Sequence, residues 1–209
     1  MNISLNDLSA TSTYHLMTQS IIPRPIAWVL SSCSQLTGDN TDPLNLAPFS
    51  YFNAISSDPP LMMLSMGKKP DGSQKDTATN LSIGSYCVVH IAHAKQAEQV
   101  TDTAATLEYG VSEVAVNNIE LVSHENWPIK RIAACPIAYL CKVHSTQQIG
   151  NTPQQLIFVE ALELYVDDSA VKEEKGRVTI DAMQVDPLSR LGANQYAHLA
   201  GVISKNRPK

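Results

Sequence analysis

At 209 residues the chain is long enough to bury one sizeable core and short for two typical domains. Its 44% hydrophobic and 17% charged content excludes a disordered tail, and no run approaches the ~20 apolar residues that a bilayer-crossing helix needs. A formal net charge of −5 argues against nucleic acid as the main partner, since phosphate contacts need clustered Lys and Arg, yet it allows a local basic pocket for one small anion.

Met1 to Ala10 lacks the basic start and apolar run of a signal peptide, so a cytoplasmic location is expected. Ser9 to Gln19 predicts a short helix with Tyr14 and Met17 on one side. Pro23 and Pro25 stop it and hold Arg24 in extended backbone. Ile26 to Leu30 reads as a strand, Gly38 to Pro43 as a polar turn, and Leu44 to Ile55 as one extended run. Asp58-Pro59-Pro60 is a rigid turn opening onto a strand, Leu61 to Met66. A loop from Gly67 to Ser73 leads to a helix start at Asp76-Thr77. Tyr86 to Ala92 is β-prone, Lys95 to Leu107 has helical spacing, and Val111 to Asn117 is a second short helix. Pro136 to Val143, Leu156 to Val166 and Arg177 to Ile180 complete the strands.

These β runs lack the regular β-α-β alternation of a doubly wound sheet. They predict a mainly β, α+β fold: an antiparallel β-barrel with helices at its ends, forming one domain over residues 1–209. The four cysteines, Cys33, Cys87, Cys135 and Cys141, are too scattered for a disulfide framework, and Cys87 and Cys141 sit in apolar runs as core thiols. His90 and His93 are the only close histidine pair, and an odd separation on a strand points them to opposite faces, so no metal site is expected. Dinucleotide-binding, P-loop and hydrolase-elbow glycine patterns are absent.

Two polar groups interrupt the apolar pattern. In Asn45-Leu46-Ala47-Pro48-Phe49-Ser50-Tyr51-Phe52-Asn53, Pro48 removes a ladder donor, which marks an edge or a bulge where backbone groups can face a flat ligand with polar edges. The same residues also read as an ordinary edge strand with turn-capping asparagines. The second group runs from Ser65 through Lys68, Lys69 and Lys75-Asp76-Thr77 to Asn80. A helix start with lysine and hydroxyl donors can hold a phosphate. A solvated lysine loop with Asp76 as its helix cap is the alternative.

Taken together, Ile22-Pro23-Arg24-Pro25-Ile26-Ala27-Trp28-Val29, Asn45 to Ser50, Asp58-Pro59-Pro60, Lys75-Asp76-Thr77 with Asn80, and Pro187-Leu188-Ser189-Arg190-Leu191-Gly192 with Tyr196 and Ala197 resemble the flavin reductase-like, FMN-binding split-barrel family, flavoredoxin-type members included. The resemblance implies that Asn45, Leu46, Ala47, Pro48, Phe49 and Ser50 border the flavin ring, largely through backbone groups. It implies that Ser65, Lys75 and Thr77 hold the FMN phosphate, with Asp76 fixing the loop. Arg24 would lie near the phosphate or across a dimer interface, and Arg190 would cover the cofactor or the neighbouring subunit. It further implies a homodimer that takes hydride from NADH or NADPH onto the flavin, the protein positioning a cofactor that carries the chemistry. A flavoredoxin-like electron carrier without NAD(P)H turnover of its own is the alternative. No residue is singled out as catalytic, although His15, His144 and His198 are candidates for tuning the ring. The long stretch from Lys68 to Gln74 leaves open which lysine reaches the phosphate, and Glu108 to Ile132 carries no assignable role.

Overall fold

The computed structural model describes residues 1–33, 43–151, 154–174 and 176–208. The turn expected at Gly38 to Pro43 lies, Pro43 apart, outside the described residues. In chain order the elements are α1 (Ala10–Ser20), β1 (Arg24–Pro25), β2 (Ala27–Ser32), β3 (Leu44–Phe49), β4 (Phe52–Ser57), β5 (Pro60–Met66), α2 (Asp76–Asn80) and β6 (Tyr86–Ile91). There follow α3 (Ala97–Asp102), α4 (Glu113–Val116), β7 (Leu121–Val122), β8 (Arg131–Ile132), β9 (Ile137–Ile149), β10 (Gln154–Val166), β11 (Val171–Glu174), β12 (Arg177–Ile180), α5 (Ala182–Val185), β13 (Ser189–Arg190) and β14 (Tyr196–Ala197).

Seven strands form one antiparallel sheet in the order β3-β2-β6-β9-β10-β5-β4. Its two edge strands, β3 and β4, are consecutive in the chain and separated only by Ser50 and Tyr51. So short a link forces the sheet to curl until its edges meet at that corner, where the Tyr51 carbonyl accepts from Ser65 N–H at 2.9 Å. The result is a split barrel.

Strand periodicity sorts the apolar side chains into two cores. Ala27, Val29, Cys87, Val89, Cys141 and Val143 point into the barrel with Leu64, Met66 and Ile157. Trp28, Leu30, Val88, Ala138 and Leu140 point outward, and Val100, Ile119, Trp127, Ile132 and Leu188 cover them. β2 is therefore buried on both faces, which accounts for its unbroken apolar run. Cys87 faces Cys141 across β6 and β9 as a core pair.

His90 lies fully buried among the outward-facing residues of β6. Its Nε2 accepts the Ile132 N–H at 2.9 Å, so Nδ1 carries the proton and donates to the Trp28 carbonyl at 3.0 Å. The histidine thus ties β2 to β8 as a neutral imidazole. His93, expected on the same strand, lies beyond its end and caps the following turn, where its Nδ1 accepts from Lys95 N–H.

Three sequence expectations change in the structure. The extended run from Leu44 to Ile55 breaks at Ser50 and crosses from one sheet edge to the other. The helix expected over Lys95 to Leu107 stops at Asp102, for a reason found in the site itself. The strand expected to end at Val143 continues to Ile149, because β10 supplies backbone pairing along a stretch that lacks apolar alternation. Among the described residues, no helix is long and apolar enough to cross a membrane.

Candidate functional site

β3 is an edge strand, and its pairing with β2 runs without a bulge from Ala27–Phe49 to Ser32–Leu44. Its outer edge is managed by side chains. Leu46 N–H donates to Glu113 Oε2 at 3.0 Å, and the Leu44 carbonyl accepts from the Ser112 hydroxyl. Pro48, two residues beyond Leu46, has its nitrogen on that same side and offers no N–H to leave unpaired. This edge forms one wall of an open cleft.

The cleft brings the two polar groups together. Asn45, Ala47, Pro48 and Phe49 line it from β3, and Lys69, Lys75, Asp76 and Thr77 line it from the loop and start of α2. Asn45 Nδ2 donates to Thr77 Oγ1 at 2.8 Å, with both side chains buried, so strand and helix are held in fixed relation. Having accepted that bond, the Thr77 hydroxyl keeps its own proton for another acceptor. Lys69 Nζ and Asp76 Oδ1 form an ion pair at 2.5 Å. Lys75, half-buried at the cleft, makes no ion pair among the described residues. Of the three lysines, then, Lys69 lines the cleft but is committed to Asp76, Lys68 lines only a neighbouring depression, and Lys75 lines both spaces without an ion-pair partner among the described residues.

The opposite wall, residues 103–107, belongs to no regular element and was read from sequence as helix. Trp28 Nε1 donates to Thr103 Oγ1 at 2.8 Å, and that hydroxyl donates on to the Val100 carbonyl at 3.2 Å. This buried pair of bonds ends α3 and lays Ala104, Ala105, Thr106 and Leu107 along the cleft. Glu113 closes the side. Only 3% exposed, it has its carboxyl pushed up by burial, with the N–H groups of Leu46 and of its own backbone pulling down, Asp76 pushing up and Lys69 pulling down. Sequence reasoning left Glu108 to Ile132 without a role and so missed Glu113. An acid in the first turn of a capped helix has many innocent readings, and only the tertiary pairing with β3 singles it out.

Other residues implicated by the resemblance fall elsewhere. Leu46 directs its side chain into the outer core and meets the site through its backbone alone. Ser65 occupies the face of β5 opposite Leu64 and Met66 and does not line the cleft. Arg24 is buried and spends its guanidinium on the carbonyls of Thr18, Ile21 and Leu191, with Nε reaching Ser50 Oγ at 3.4 Å. It pins the end of α1 to the residue after β13 and does not line the cleft. Ser50 and Arg190 line an adjoining depression with Ile26, Val100 and Tyr196, and that depression shares Pro48 and Ala104 with the cleft. There the Arg190 guanidinium stacks on the Tyr196 ring at 4.5 Å and donates to the Ala193 carbonyl. His15, His144 and His198 are exposed and line neither space.

Barrel and edge-strand cleft together define a split-barrel protein of the flavin reductase class. The flavin reductase-like domain model matches residues 18–183, and the chain belongs to that flavin-binding family. It is 33% identical to YwrF of Bacillus subtilis (strain 168) over 207 residues, 97% of each chain. Nitrilotriacetate monooxygenase component B from Bacillus cereus superposes with a TM-score of 0.85 at 30% identity, covering 98% of both chains. The 2-nitrobenzoate 2-nitroreductase NbaA of Pseudomonas fluorescens superposes with a TM-score of 0.84 at 26% identity, covering 100% of this chain and 96% of that one.

Proposed function

We propose that this protein is an FMN-dependent oxidoreductase, a homodimer that reduces its flavin with NADH or NADPH. The observation that carries the reading is the polarity of the cleft. The uncommitted Lys75 ammonium and the Thr77 hydroxyl stand at one end, and Ala47, Pro48, Phe49, Ala104 and Leu107 form apolar walls. That arrangement fits a ligand with a phosphate at one end and a flat ring at the other, and the paired Lys69–Asp76 keeps the aspartate from repelling a phosphate.

Bound FMN would supply the hydride and electron chemistry. The chain's own part is placement. Lys75 and Thr77 would take the phosphate, Asn45 holds Thr77 in position, and the Pro48 edge with residues 103–107 would flank the ring and shed water from it. The adjoining depression, with Arg190 and Tyr196, gives a second planar molecule room to approach the ring end of the cleft. Two similar proteins bear the names of a monooxygenase component and a nitroreductase, which supports a redox role over flavin storage.

The test is an absorption spectrum of the purified protein after reconstitution with FMN, followed by anaerobic addition of NADH and then NADPH. The expected result is a bound flavin band that bleaches rapidly with one of the two nucleotides. A flavin band that persists with both would make the protein an electron carrier reduced by a partner, and failure to bind FMN at micromolar concentration would overturn the proposal.

A further inference from the structure

The inner face of the barrel changes chemistry at its rim beside Lys75. Leu64 and Ile157 are cross-strand partners in the inner core, and two residues further along Met66 and Gln155 are partners on the same face. Gln155 in turn faces Gln148 on β9. A row of Met66, Gln155 and Gln148 therefore crosses three strands, buried at the methionine and exposed at Gln148. Beside this row, the loop before α2 folds back through an antiparallel bridge between Lys68 and Gln74, which sets those two side chains on one side. These five residues and Lys75 line one depression, and no carboxylate lines it with them. Neither lysine makes an ion pair among the described residues. Two ammonium groups and three carboxamides thus converge over an apolar floor.

The depression and the edge-strand cleft share a single residue, Lys75. A ligand whose phosphate rests on Lys75 therefore has a second, cationic space open to it on the far side of that phosphate. Resting on the reading above that a flavin phosphate sits at Lys75, we infer that the site continues past it and takes the flavin dinucleotide FAD, with the adenylate half in the depression. Lys68 would meet the second phosphate of the pyrophosphate. A carboxamide sets a donor beside an acceptor, which matches the amino and N7 edge of adenine, and Gln148 and Gln155 present two such groups from neighbouring strands. The polar continuation of β9 beyond Val143 then has a purpose, since it carries Gln148 to the rim. NADH and NADPH also carry an adenylate. Their nicotinamide, however, has to reach the ring end of the cleft near Pro48, whereas the depression opens at the phosphate end, so the flavin's own pyrophosphate is the nearer source.

Isothermal titration of FMN and of FAD into protein stripped of bound flavin tests this, with wild type, Lys68→Ala and Gln148→Ala in parallel. FAD is expected to bind the wild type about tenfold more tightly than FMN. Lys68→Ala should remove most of that margin and Gln148→Ala a several-fold part of it, and both should leave FMN within about twofold. Both side chains are exposed, so the variants keep the fold, which a thermal melt checks. FAD that binds no more tightly than FMN overturns the inference, as do variants that weaken the two flavins equally or not at all. A raised KM for NADH in Lys68→Ala, with FAD affinity unchanged, would give the depression to the adenylate of the nicotinamide donor and overturns it too. Wild-type protein that binds neither flavin would instead overturn the flavin reading itself.

Discussion

Lys75 owes its availability to Lys69. Because Asp76 is already paired at 2.5 Å, the charge of Lys75 is not consumed within its own loop. A charge-assisted bond to phosphate contributes about 1.5–3 kcal/mol, so Lys75→Ala should weaken FMN binding roughly 10- to 150-fold. Riboflavin, lacking the phosphate, should bind the variant as it binds the wild type, and parallel titrations of the two flavins check this. His90 makes a prediction of a different kind. Burial pulls its imidazole down to about 4, the Trp28 carbonyl opposing and Arg131 adding to the fall. In the unfolded chain a histidine titrates near 6.5. Between those values the unfolded state takes up a proton that the native state refuses, so stability falls as pH drops from about 6.5 toward 4 and is unaffected by this group above 6.5. The full loss is about 3 kcal/mol at ~1.4 kcal/mol per pH unit. Urea midpoints at pH 7.5, 6 and 5 should decline in that order, and His90→Gln should be less stable at pH 7.5 but shallower in its decline.

Elements written in local pattern were legible in the sequence; those made by long-range partners were not. The apolar runs of β2 and β6, the edge position of Pro48 and the helix start at Lys75-Asp76-Thr77 all follow from residue order. The end of α3 does not. Ala97, Val100 and Ala104 keep helical spacing, but a hydroxyl at Thr103 captured by the Trp28 indole, 75 residues away, halts the helix and turns residues 103–107 into a wall. Glu113 was hidden for the same reason, since its partner is the backbone of Leu46. If that hydroxyl sets the wall, Thr103→Val should cost about 1–3 kcal/mol by leaving the buried indole N–H unpaired. At ~2–4 °C per kcal/mol for a chain of this size, the melting temperature should drop by roughly 2–12 °C. FMN affinity should fall as well, since Ala104 and Leu107 lose their anchor. A thermal melt that drops without any change in FMN affinity would show that the wall keeps its shape by other means.

At the scale of the whole molecule, one flank of the barrel is left bare. α1 buries only Thr18 and exposes Tyr14 and Met17, with Ile21 and Ile22 following. β4 is exposed along most of its length, Ile55 included. Isolated exposed apolar residues are ordinary; a helix flank and an edge strand together are the kind of surface that the proposed second copy would cover. This flank is mechanically joined to the site. Arg24 bonds the Thr18 and Ile21 carbonyls at the end of α1 and also reaches Ser50, which lines the depression beside the cleft. A second copy seated on α1 would thus brace the ring end of the cleft, and linkage requires that flavin binding and dimerisation then strengthen each other. Sedimentation equilibrium should report twice the mass of one chain, with FMN shifting the dimer to lower protein concentration. Ile21→Glu, placing a charge on the bare flank, should yield a folded monomer with weakened FMN binding. A monomeric Ile21→Glu variant with wild-type FMN affinity would mean that one chain completes the site alone, and that the apolar flank serves assembly without serving the flavin.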